Sequence, residues 1–128
     1  PPEVWNEVTV KGQGHPGAQE ISRVTWLVHQ TPDPHMVKPL SILVDEGEAQ
    51  AIALAQTIPD SIILLDDARA RKIAHRLNLK QIGTIGLLLR AKRVGLINKI
   101  KPHIDALIKN GIYIRLELID AVLKEAEE

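Results

Sequence analysis

Three places in this 128-residue sequence put carboxylates where a fold could aim them. In Asp45-Glu46-Gly47-Glu48, Ile52 and Ala55 follow Glu48 at i+4 and i+7 and share its helical face, so the carboxylate is turned toward an apolar side. A half-buried acid needs a partner. Asp45 and Glu48 also have the spacing of a capping box, and a cap and a metal-binding role are compatible. Asp66 and Asp67 follow the apolar run Ser61–Leu65, and ligands of open parallel sheets gather beyond the carboxyl ends of strands. Two carboxylates there suit Mg²⁺ or Mn²⁺, which prefer hard oxygen ligands. Capping the next helix would use one aspartate and leave the second unexplained. Glu7 shares a helical face with Val4 and Val8 and so sits beside apolar residues.

The basic residues offer less specific chemistry. Arg69 and Arg71 stand in the first turn of the helix after Asp67, against the macrodipole preference for acids there, so they answer nearby carboxylates, a phosphate or simply solvent. Arg90, Lys92 and Arg93 are the densest basic segment and a candidate contact for a nucleic-acid backbone, although cations at a helix C-terminus also complement the dipole. The five histidines lack metal-type i, i+4 pairing, and the P-loop, dinucleotide-binding and hydrolase-elbow motifs are missing.

Around these residues the pattern predicts alternating strands and helices. A helix starts at Pro1-Pro2 and carries Glu7, and Ala18–Gln30 reads as a short helix followed by the strand-like Val24–Val28. Asp45 caps a helix running to about Gln56, Ser61–Leu65 is a strand, and Ala70, Ile73, Ala74 and Leu77 mark one side of the next helix. Gln81–Gly86 is read as the next strand and turn, leading to a helix from Leu87 to Val94 that stops at Gly95. A helix from Pro102 to Lys109, an extended Tyr113–Arg115 and a helix from Leu116 to Glu127 complete the chain. This order argues for an α/β fold with a parallel sheet flanked by helices.

Composition narrows the setting. At 45% hydrophobic, the chain suits a single domain over residues 1–128. Sixteen basic and sixteen acidic residues cancel, so a nucleic acid would have to be held by a local patch rather than a global field. The absence of cysteine excludes disulfides and thiolate metal sites, and no apolar run is long enough to span a bilayer, which makes a cytoplasmic setting the default expectation. With no phenylalanine, the core must come from Ile, Leu, Val and Ala, and few rings remain for stacking on bases.

In series, Pro-Pro-Glu-Val-Trp-Asn-Glu-Val, Asp-Glu-Gly-Glu-Ala-Gln-Ala-Ile-Ala-Leu-Ala, Leu-Leu-Asp-Asp-Ala-Arg-Ala-Arg and Ile-Gly-Thr-Ile-Gly-Leu-Leu-Leu-Arg-Ala-Lys-Arg resemble a prokaryotic PIN-like family of predicted nucleic-acid-binding proteins. The resemblance runs from Pro1 to about Ala121. It implies a three-layer α/β/α fold and a metal-dependent ribonuclease, of a kind that often serves as the toxin of a toxin–antitoxin pair. Glu7 is then similar to the family's early-helix acid, Glu48 to its middle-helix acid, and Asp66 or Asp67 to the acid after the following strand, together holding Mg²⁺ or Mn²⁺. The family opens with a strand ending in a further aspartate, and the resemblance therefore implies an N-terminal truncation that removes the first strand.

Three functions stay open on these grounds. One is a ribonuclease with RNA as substrate and an antitoxin as partner. Another is a non-catalytic nucleic-acid- or protein-binding module that keeps the fold. The third is a phosphate-sensing regulatory domain built around Asp66 and Asp67. The apolar helices are also compatible with a homodimer.

Overall fold

Proline costs nothing in a first helical turn, where its missing N–H would have no intrahelical acceptor, and Pro2 accordingly opens α1 (Pro2–Asn6). The computed structural model describes residues 1–128, which fall into two units, Pro1–Gln81 and Ile82–Glu128. A π-helical turn over Glu7–Lys11 continues directly from α1, so Glu7 lies where the helical register changes. Next come α2 (Ala18–Arg23), α3 (Pro34–Leu40) and α4 (Glu46–Thr57). β1 (Ile62–Leu64), α5 (Ala68–Arg76) and β2 (Lys80–Ile82) follow, the division between the units falling within β2, and the two strands pair as a small parallel sheet flanked by helices.

The core of this first unit is made of small and branched residues. Ala49, Ile52 and Ala53 of α4 are fully buried with Ala70 and Ala74 of α5, and Val37, Leu40, Ile63 and Leu65 close the cluster. Alanines on both helices keep the elements close, which a core without phenylalanine requires. α1 is tied to α4 by a backbone group: the Glu3 N–H, one of the orphan donors of the first turn, donates to Gln50 Oε1 at 2.9 Å. Gln50 Nε2 in turn donates to Glu46 Oε1 at 3.0 Å, and the Ser41 hydroxyl donates to Glu46 Oε2 at 2.6 Å. These two donors, Ser41 first, hold the Glu46 carboxyl below its ordinary pKa.

Several local expectations need correction. Val24–Val28 is not a strand: the segment is irregular, and Trp26 and Val28 are both 77% exposed, because no strand lies alongside to pair it. The sequence reading passes over α3, although Asp33 accepts the His35 N–H at 2.8 Å and Pro34 follows as the first helical residue, a cap-and-proline start. The run Ser61–Leu65 implies a strand covered on both faces, yet only Ile63 of β1 is buried, and Ile62 and Leu64 face outward on the alternate side. β2 ends at Ile82 and not within Thr84–Gly86, because Gly83 caps the following helix and those residues already belong to it.

The second unit contains α6 (Thr84–Arg93), α7 (Lys101–Lys109) and α8 (Leu116–Glu125) around Ile100, Ile104, Val122 and Ala126. α6 stops as expected at Gly95, whose φ of 80° is open to glycine, and Leu96 N–H closes the turn on Ala91 carbonyl at 2.8 Å. Tyr113–Arg115 forms no strand, and α8 ends two residues before Glu127, which has a φ of 60°. Ile100 and Lys101 open α7 without a side-chain cap of their own. The Glu128 side chain supplies it from far along the chain, accepting the Ile100 N–H at 2.8 Å and the Lys101 N–H at 3.2 Å while Lys92 Nζ donates to it at 2.9 Å. Those contacts, the Ile100 N–H foremost, bring the Glu128 carboxyl down to about 2.

Candidate functional site

The starts of α4 and α5 place three acids, Asp45, Glu48 and Asp67, on one cleft. Asp45 is the N-cap of α4 and its N–H donates to Glu48 Oε2 at 3.2 Å within a capping box, which turns the Glu48 carboxylate back over the helix start. Asp67 is the N-cap of α5 and accepts the Ala70 N–H at 2.9 Å. Both local accounts offered by the sequence, the capping box and the single capping aspartate, are therefore realised. Glu48 and Asp67 also line a cleft of about 570 Å³, together with Ser41, Leu43, Asp45 and Arg69.

The electrostatics of Glu48 describe that cleft. Partial burial raises its carboxyl pKa above the usual value, the Asp45 N–H opposes this, and the charges of Asp67, Asp45 and Glu7 raise it further. After burial, the charges that chiefly raise Glu48 are other carboxylates, an arrangement in which ionised acids repel and a cation would lower the repulsion. Glu7 belongs to this group through the start of α4: its Oε1 lies 2.6 Å from where a β-carbon on Gly47 would stand.

The remaining candidates separate. Asp66 is exposed beyond β1 and does not line the cleft, whereas Asp67 does. Arg69 shares the cleft wall with the acids, and Arg71, one position beyond Ala70, is exposed and takes the Gln81 amide on its backbone carbonyl at 2.8 Å. Arg90, Lys92 and Arg93 belong to the second unit, where Lys92 is paired with Glu128 and Arg93 with Glu125, while Arg90 is exposed. Sequence reasoning did not select Ser41, Asp45 or Gly47 for the site. Ser41 belongs to no motif, Asp45 was recognisable only as a cap, and nothing in the chain's pattern announces a space that a carboxylate from forty residues earlier will fill.

Fold and cleft define a small α/β protein with an acid-lined groove at the beginnings of two helices. A family model described as DUF3368: PIN domain matches residues 1–128, and the chain belongs to that PIN-domain family. No curated protein and no solved structure matches it. The fold is nuclease-like, and PIN domains generally use divalent metal ions. No helix is long and apolar enough to cross a membrane.

The acids can be tested against such an ion. No group of three or more His, Cys, Asp or Glu is arranged to hold a metal. Mg²⁺, however, is commonly held by one or two carboxylates and completes its shell with water and substrate phosphate. Glu48 and Asp67 offer that pair of hard donors on one cleft, and a cation between them would offset their like charges.

Proposed function

We propose that this chain is a metal-dependent ribonuclease that cleaves RNA phosphodiester bonds in the cleft between the starts of α4 and α5. What supports the reading most is the convergence of Asp45, half-buried Glu48 and Asp67 on one cleft, with Glu7 close to the first turn of α4. Glu48 and Asp67 would hold a Mg²⁺ or Mn²⁺ ion, with Glu7 adding negative charge from the α4 side. A bound divalent ion supplies Lewis acidity toward a phosphoryl oxygen and lowers the pKa of a coordinated water. Arg69, on the same wall, would take a non-bridging phosphate oxygen and orient the backbone, as guanidinium groups do. Membership of the PIN family gives this chemistry its prior, and the cleft gives it particular residues.

The test is cleavage of single-stranded RNA by the full chain in Mn²⁺, read on denaturing gels beside Glu48→Gln and Asp67→Asn. Metal-dependent cleavage by the wild type that disappears in both variants is the expected result. RNA binding without metal-dependent cleavage would instead support the binding-module reading, which the lack of a ready three-acid ligand set favours.

A further inference from the structure

We propose that Gly47 is a positioning residue of the acid cluster: its missing β-carbon is what admits the Glu7 carboxylate to the first turn of α4, next to Glu48. This inference rests on the metal-site reading above.

Gly47 is buried in the first turn of a twelve-residue helix, and its backbone does not occupy the left-handed region. Conformational freedom therefore does not explain it, and helix propensity argues against it, because glycine is among the poorest residues for a helix. The explanation lies in the space above it. A β-carbon at position 47 would stand 2.6 Å from Glu7 Oε1, which is too close, and 3.0 Å from Oε2 and 3.1 Å from Cδ, which is tight. All of these atoms belong to the far end of one flexible side chain, so a larger residue would displace the carboxylate without forcing backbone apart.

The approach of Glu7 is otherwise fixed. Its turn continues from α1, which is anchored to α4 through the Glu3 N–H and Gln50, and Lys11, at the other end of the same turn, is drawn to Glu3 at 2.5 Å. The carboxylate thus arrives over the first turn of α4. With Glu48 adjacent in sequence, it adds the α4-side charge that the cluster presents to a cation.

The experiment uses the full chain as wild type, Gly47→Ala, Glu7→Gln and the double variant, with Mn²⁺ affinity by calorimetry, the Glu7 carboxyl ¹³C resonance in metal-free protein, and thermal melting. The expected result for Gly47→Ala is a melting midpoint at or above wild type, a displaced Glu7 resonance, and Mn²⁺ affinity reduced ~10-fold or more. The double variant should bind no more weakly than Glu7→Gln alone, since both substitutions act on one carboxylate. Wild-type affinity in Gly47→Ala, an unmoved Glu7 resonance, or full additivity in the double variant would overturn the role of Gly47. Absence of saturable Mn²⁺ binding by the wild type would overturn the metal reading itself and this inference with it.

Discussion

Asp67 accepts the backbone N–H of Ala70 through Oδ2 at 2.9 Å, and the same side chain stands in the cleft beside Glu48 and raises its pKa. A carboxylate has two oxygens, and a cap occupies one. Cap and candidate ligand can therefore be separated by substitution, which no reading of the sequence alone could arrange.

Asparagine caps helices about as well as aspartate but carries no charge. Asp67→Asn should consequently melt close to wild type while losing Mn²⁺ affinity, whereas Asp67→Ala should lose both affinity and ~1 kcal/mol of stability. Denaturant melts and Mn²⁺ calorimetry on the two variants decide the matter. Undiminished Mn²⁺ binding by Asp67→Asn would remove Asp67 from the site and return attention to Asp66.

Glu48 combines a useful cap with an uncomfortable charge. Its folded pKa is raised, so the folded chain holds that proton more tightly than the unfolded chain, and ionisation of Glu48 works against folding as pH rises above the ordinary value of 4.5. Glutamine keeps an oxygen for the Asp45 N–H and removes the repulsion. Glu48→Gln should then be as stable as wild type or more so at neutral pH, within ~0.5 kcal/mol, while Mn²⁺ affinity falls ~10- to 100-fold. A variant that is clearly less stable at neutral pH would mean that the capping contact outweighs the crowding.

How much of this was legible in the chain depends on distance along it. The capping box at Asp45–Glu48 and the stop at Gly95 are local, set by residues within a turn of each other, and both appear as read. The start of α3 at Asp33-Pro34 is equally local, yet the pattern passes over it, because proline ends one element as readily as it begins another. Val24–Val28 has strand-like residues and no strand, since strand formation needs a partner that pattern cannot supply. The site followed the same rule. Glu48 and the aspartate pair could be picked out from the elements carrying them, but the choice of Asp67 over Asp66 for the cleft wall needed the α5 cap, and the place of Glu7 needed the space at Gly47.

The basic residues of the two units should behave differently toward RNA. Arg69 lies in the cleft, while Arg93 is committed to Glu125 in an ion pair of the second unit. Arg69→Ala should raise KM, weaken RNA binding regardless of base sequence and reduce the slope of log affinity against log salt by ~1. Arg93→Ala should leave that slope unchanged. Salt-dependent filter binding of a short single-stranded RNA measures both, and equal effects from the two substitutions would dissolve the distinction between the cleft arginine and the ion-paired one.

Glu128 gives a pH dependence of the opposite sign from Glu48. Its folded pKa is lowered to about 2, principally by the Ile100 N–H and also by Lys92 and the Lys101 N–H, so its stabilising effect is fully present above the unfolded value of 4.5 and is lost as pH falls from there toward 2. Glu3 and Glu46 are also lowered, by Lys11 and by Ser41 respectively, and contribute acid sensitivity of their own. The difference between wild type and Glu128→Gln isolates one carboxyl from the others. Urea midpoints measured from pH 7 down to pH 2 should show wild type more stable above 4.5 and the two chains converging near 2, because glutamine can still accept one N–H but cannot pair with Lys92. A gap that persists unchanged to pH 2 would assign the stabilisation to the shape of the side chain and not to its charge.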